Sequence, residues 1–159
     1  MSNASSSSRS LASLGLGPIE QVAYIVEDMQ RALPRYEALF GPFVVSEQTL
    51  DDCTYRGKRA DIGLVMATNN DSPVEIELIQ PTKGESPWTE HLAAHGEGLH
   101  HVRFRVTALE EHLTRLGEQG FETLLYKRFG PQVAFAYLEV PQAPAASGGH
   151  VIELLEMPA

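Results

Sequence analysis

The run IEQVAYIV (19–26) and the run LHHVRFRV (99–106) decide the fold of this 159-residue chain. Each is short, rich in β-branched and aromatic residues, and alternates, so each reads as a strand. Set Gln21 against His101 and the two runs match: Val22 meets Val102, Tyr24 meets Phe104, and Val26 meets Val106. The match continues into the helices that follow, where Leu33 meets Leu113 and Arg35 meets Arg115. Further on, IELIQP (76–81) matches IELLEMP (152–158), which equates Glu77 with Glu153. An internal duplication is the simplest account of such self-similarity.

Working outward, Asp28 is a cap for the helix MQRALPRYEALF (29–40), with Met29, Leu33, Tyr36 and Phe40 on one side and Pro34 expected to bend its first turns. Gly41-Pro42 stops it. Strands are expected over 43–50, 60–68 and 74–80, separated by the turn-rich runs DDCTYRGK and NNDSP. Residues 81–97 form a linker whose helix begins at Ser86-Pro87 and ends at Gly96. In the second half, Thr107 with Glu110 reads as a capping box opening a helix over 108–119, and strands follow over 122–129, 133–140 and 150–157. The expected fold is α+β: two βαβββ modules, 18–80 and 98–157, forming one curled mixed sheet around a cleft. Residues 1–17, rich in Ser and Gly, read as a mobile tail, and 141–149 as a flexible loop.

Composition limits the partners. Lys and Arg total 12 against 21 Asp and Glu, a formal charge of −9, which argues against a general nucleic-acid or anionic-membrane binder. The single cysteine, Cys53, excludes an intramolecular disulfide framework and a Cys-rich zinc site. No apolar run approaches a membrane span, and no secretory signal is legible at the start, so a cytoplasmic homodimer is the expectation.

Strand alternation sorts the chemistry. Val22, Tyr24 and Val26 face the helix, so Gln21 faces away; in the repeat His101, Arg103 and Arg105 face away. In the last strand of each module Glu75 and Glu77, or Glu153, oppose the apolar pair. One sheet face therefore carries Gln, His, Arg and Glu, which reads as a polar concave site. Gln21, Glu77, His101 and Glu153 occupy two pairs of repeat-equivalent positions. If the modules pack about a pseudo-twofold axis, the four converge on it. One amide oxygen, one imidazole and two carboxylates suit Zn²⁺, Ni²⁺, Co²⁺, Mn²⁺ or Fe²⁺. Arg103 and Arg105 would hold a carboxylate or phosphate of the substrate, or pair with a neighbour such as Glu75. His100, adjacent to His101, is expected on the opposite side. His91, His95 and His112 are expected on solvated helix faces, and Trp88 as a packing anchor.

At these residues the chain resembles the vicinal oxygen chelate superfamily, built from paired βαβββ modules curled around a metal. Within it, IELIQPTKGESPWTEHLAAHGEGLHHVRF (76–104) looks most like methylmalonyl-CoA epimerases. The resemblance implies metal ligands at Gln21, Glu77, His101 and Glu153. It also implies an isomerase, epimerase or lyase that moves a proton alpha to a metal-bound carbonyl of a small oxo-acid or acyl thioester, with Glu153 and Glu77 as acid–base residues. Two departures are visible. Such epimerases carry His and Gln where this chain has Gln21 and Glu77, a set that resembles some glyoxalase I enzymes. Their third-strand glutamate has no counterpart in KRADIGL (58–64), where only Asp61 is near. The alternatives are therefore a lactoylglutathione lyase of the glyoxalase I type, or a ligand-sequestering protein like the bleomycin-resistance members.

Overall fold

The structure is a computed structural model and describes residues 14–141 and 150–158. Its elements run β1 (Ile19–Ile25), α1 (Met29–Phe40), β2 (Val44–Tyr55), β3 (Lys58–Asn69), β4 (Glu75–Lys83) and α2 (Pro87–His95), then β5 (Gly98–Val106), α3 (Leu109–Gly117), β6 (Glu122–Arg128), β7 (Ala134–Glu139) and β8 (Val151–Glu156). The strands close into one barrel in the order β1-β4-β3-β2-β6-β7-β8-β5. Each module is a βαβββ unit, as the sequence pattern predicts.

The register shows the duplication directly. In the first module Val22 pairs Ile76 and Ala23 pairs Glu77, while in the second Val102 pairs Ile152 and Arg103 pairs Glu153. The modules join through antiparallel β1 and β5, where Val22 pairs Val102. Residues equated by the repeat thus pair with each other, which places the pseudo-twofold axis at this point.

Alternation of side chains divides the core into three parts. On the outside, Val26, Met29, Ala32, Ala67 and Leu78 pack beneath α1, with Tyr24, Leu33 and Tyr36 at the edge. Phe104, Val106, Leu109, Leu116, Leu138 and Leu154 do the same beneath α3. The inside holds Ile25, Cys53, Tyr55, Ile62, Leu64, Ile79, Trp88, Leu125, Phe135 and Tyr137. The concave face is therefore apolar over much of its length, and its polar residues are confined to a cluster. Trp88 is the anchor expected of it, 2% exposed and edge-on to Tyr137.

Several local expectations give way to packing. The turn-rich run 51–58 is mostly strand: β2 extends to Tyr55, because Cys53 and Tyr55 find places in the barrel core. The reversal is shortened to Arg56-Gly57, both with positive φ (48° and 78°), the pattern of a two-residue hairpin turn. α1 runs unbroken through Pro34, with the Asp28 carboxylate accepting from the Arg31 N–H as expected. α2 starts with the Ser86-Pro87 signal and a reciprocal capping pair between Ser86 and Thr89. The Thr107–Glu110 capping box does not form. Ala108 occupies the cap position at φ 52°, and the Glu156 carboxylate on β8 accepts the Leu109 N–H at 2.6 Å instead. Glu110 is drawn away by Arg128 and Tyr126.

The described chain also starts earlier than Pro18. Leu16 is 6% exposed beneath α3, and His112 is buried with its Nε2 3.3 Å from the Gly15 carbonyl oxygen. His112 is thus not on a solvated face. The rest of the expected tail, 1–13, and loop residues 142–149 lie outside the described residues. No helix among those described is long and apolar enough to cross a membrane.

Candidate metal centre

Four side chains that the sequence pattern singles out meet inside the barrel. β1 contributes Gln21, β4 Glu77, β5 His101 and β8 Glu153, each near the axis through Val22 and Val102. Their exposures are 0%, 3%, 1% and 7%. His101 Nε2 is the point of convergence. Glu153 Oε2 lies 3.1 Å from it, Gln21 Oε1 3.3 Å and Glu77 Oε2 3.8 Å. An imidazole nitrogen and three oxygens from four strands thus face a common space.

The Gln21 amide has a defined orientation. Its Nε2 donates to Glu75 on β4, and a carboxylate only accepts, so Oε1 is left to face His101. Tyr137 on β7 bonds Glu153 through its hydroxyl and packs edge-on to the His101 ring at 4.7 Å. Burial, and then the two glutamates beside it, push the Tyr137 hydroxyl well above its ordinary value, so it remains protonated and donates.

Two carboxyl groups buried side by side carry a large electrostatic cost unless something positive joins them. The Glu77 carboxyl is pushed well above the usual carboxylate range, first by burial and then by Glu153, with Arg103 opposing. Arg103 is the nearest permanent cation, yet it is a loose partner. Its guanidinium stands 3.6 Å from Glu75 and 3.9 Å from Glu20, and its buried Nε has no hydrogen-bond partner.

This donor set fits a divalent cation. Ligand bonds of about 2.0–2.2 Å give polyhedron edges of about 3.0–3.5 Å, close to two of the three oxygen distances from His101 Nε2. Glu77 must move inward to join. By themselves the His and acidic side chains of the described residues form no group of three arranged to hold a metal ion.

The other candidates fall elsewhere. Arg105, half exposed, is held by a two-pronged contact to Glu20 at 3.1–3.3 Å, outside the cluster. Asp61 accepts the Asp52 N–H and pairs with Arg59, bracing the irregular stretch of β2 rather than reaching the centre. Cys53 is buried in the barrel core, and burial raises its thiol.

Sequence reasoning missed two neighbours, Tyr137 and His100. Tyr137 lies on a continuous apolar strand, where nothing marks one hydroxyl as inward. Simple alternation puts His100 on the face opposite His101, but β5 is irregular there. Ala23 pairs His101 while Tyr24 pairs Leu99, so His100 is an extra residue without a partner. A bulge of this kind re-aims a side chain. His100 Nδ1 consequently lies 2.8 Å from His101 Nδ1, and both rings are buried.

The fold agrees with known relatives. Residues 20–137 match the family model of the Glyoxalase/Bleomycin resistance protein/Dioxygenase superfamily, and the chain belongs to that superfamily. It is similar to methylmalonyl-CoA epimerase from Mycobacterium tuberculosis (22% identity, 91% of this chain and 90% of that one, TM-score 0.61). It is similar also to the Streptomyces coelicolor methylmalonyl-CoA epimerase in complex with 2-nitronate-propionyl-CoA (22% identity, 91% and 99% of the chains, TM-score 0.59). At this identity the likeness establishes the fold alone. A Bacillus subtilis protein, YqjC, is 26% identical over 138 residues, covering 87% of this chain and 91% of its own length.

Proposed function

We propose that this protein is a divalent-cation-dependent epimerase or isomerase that moves a proton alpha to the carbonyl of a small oxo-acid or acyl thioester. The observation that carries the reading is the convergence of Gln21 Oε1, Glu77 Oε2 and Glu153 Oε2 on His101 Nε2. These four residues would hold the cation. When bound, it supplies Lewis-acid polarisation to a carbonyl oxygen placed beside it. Likeness of fold to methylmalonyl-CoA epimerases supports the class of reaction.

The chain's own groups then have distinct tasks. Glu153 takes the proton from the substrate carbon as general base, and Tyr137 bonded to it holds its carboxylate in place. Glu77 comes from the other module and is the group placed to return a proton to that carbon. Arg103, with its unpartnered Nε, binds an anionic group of the substrate. The four side chains of the centre are almost wholly buried.

The Gln21/Glu77/His101/Glu153 set also supports a second reading, a glyoxalase I-type lyase acting on a hemithioacetal by the same proton movement. Incubation in D₂O with 2-substituted acyl-CoAs and with hemithioacetals, in the presence of Zn²⁺, Ni²⁺, Co²⁺, Mn²⁺ or Fe²⁺, separates the two. Deuterium entering the acidic carbon of one class, and abolished by Glu153→Gln, is the expected result. Tight binding without exchange would identify a sequestering protein instead.

A further inference from the structure

α2 carries two histidines at a spacing of four, in EHLAAH (90–95). Residues four apart stand one above the other on a helix, with about 5–6 Å between Cβ atoms. The His91 and His95 rings accordingly lie with their centroids 5.1 Å apart. His95 is exposed and His91 half-buried, so solvent reaches the pair. Neither ring makes a hydrogen bond among the described residues. Their ring contacts are with imidazoles: each other and, for His91, the edge-on ring of His100, also at 5.1 Å. The surroundings suit a cation. The pair lines a hollow of about 120 Å³ together with Glu90 and Glu139, and Arg56, which also lines it, is bound to Glu90. His95 ends the helix and Gly96 caps it, so the pair spans the last turn, where the helix dipole is negative. Above its ordinary pKa of about 6.5 an imidazole is neutral and offers a lone pair.

We propose that His91 and His95 form a second site for a divalent transition-metal ion, Cu²⁺ above all, chelated by two imidazole nitrogens with its remaining positions open. Two histidines four residues apart on one helix face is the spacing from which helical zinc sites take two of their ligands. Metal–nitrogen bonds of about 2.0–2.1 Å put the two nitrogens at most about 4 Å apart, within reach of these rings by side-chain rotation. The protein supplies two ligands here. His100 lines the same hollow, but its Nδ1 is engaged with His101 at 2.8 Å, and among the described residues His and acidic side chains form no group of three around an ion. Imidazole donors favour the later first-row metals, with Cu²⁺ ahead of Ni²⁺ and Zn²⁺. A site of two ligands holds its ion more weakly than the four-group centre, and its open positions take water or a donor from another molecule. It shares no residue with that centre, so it stands or falls apart from the proposed function.

The test is Cu²⁺ titration of the full-length, chelator-stripped protein by equilibrium dialysis, with electron paramagnetic resonance of the bound ion. His101→Ala disables the centre. His95→Ala, at an exposed position, removes half of the pair without touching the core. Expected is one equivalent of Cu²⁺ bound by the His101→Ala protein, its spectrum split by two nitrogens, and lost when His95→Ala is added. In the wild-type background His95→Ala should lower the number of ions bound by one, and His91→Ala should do the same. Cu²⁺ binding unchanged by His95→Ala in both backgrounds would overturn the inference, as would a spectrum without coordinated nitrogen. A wild type that binds a single Cu²⁺, lost in His95→Ala and kept in His101→Ala, upholds this site while the central cation reading fails for this ion, so the two are told apart. Wild type against His95→Ala decides the matter even if His101→Ala does not fold.

Discussion

Gln21 Oε1 stands 3.3 Å from His101 Nε2 although 80 residues separate them in the chain. The contact joins the first strands of two duplicated modules, at positions the internal repeat makes equivalent. Because Val22 and Val102 pair across β1 and β5, their neighbours must lie near a common axis. Glu77 and Glu153 arrive there by the same symmetry, from the strands parallel to β1 and β5. Duplication has turned two copies of two strand positions into a four-group centre.

The two arginines of β5 separate cleanly. Arg105 is half exposed and bound to Glu20, a surface pair worth about 0.2–1 kcal/mol. Arg105→Ala is expected to change stability by no more than that and to leave substrate affinity unchanged. Arg103→Ala removes a mostly buried guanidinium with an unpartnered Nε, and is expected to raise the KM of an anionic substrate tenfold or more by loss of a charge-assisted contact of about 1.5–3 kcal/mol. Steady-state kinetics on both variants checks this.

Gly84 lies where the chain leaves β4 for α2, at φ +79°, and a Cβ there would fall 2.3 Å from the Asp61 carbonyl oxygen. Gly57 has nearly the same φ, +78°, but open space around it. Gly57→Ala should therefore cost only the left-handed backbone penalty, about 1–2 kcal/mol. Gly84→Ala should cost distinctly more, because backbone must also shift. Urea midpoints of the two variants give the comparison, and equal losses would refute it.

Glu156 caps α3 from another element, and its carboxyl is held below the usual range by the Leu109 N–H and then by Arg128. Removing a helix cap costs about 0.5–2 kcal/mol, so Glu156→Ala should lose that much at neutral pH. A lowered folded pKa contributes stability above the ordinary value of 4.5, and this is lost as the pH falls through the folded value. The gap between wild type and Glu156→Ala in urea denaturation should accordingly close below pH 4.5. Ala108→Gly, which relieves φ 52° at the cap, should stabilise by about 1 kcal/mol.

These comparisons also show what was legible in the sequence. The repeat made the two modules and their equivalent positions legible, and the alternation of Val22, Tyr24 and Val26 against Gln21 showed which face each residue takes. The four centre residues followed from it. What escaped were places where distant contacts override a local signal. Cys53 and Tyr55 sit in a run of turn-forming residues but are claimed by the barrel core. Thr107 and Glu110 have the spacing of a capping box, yet Arg128 takes Glu110 and Glu156 supplies the cap. His100 breaks period-two alternation through one unpaired residue, and no feature of LHHVRFRV announces a bulge.

The central claim is that Gln21, Glu77, His101 and Glu153 form one cation site. Equilibrium dialysis of the full-length protein, stripped with chelator and titrated with Zn²⁺, Ni²⁺, Co²⁺, Mn²⁺ or Fe²⁺, measures it most directly. The prediction is one tightly bound ion per chain, with binding lost in His101→Ala and Glu153→Ala and weakened in Gln21→Ala. No stoichiometric binding of any of these ions, or binding unchanged in all three variants, would contradict it.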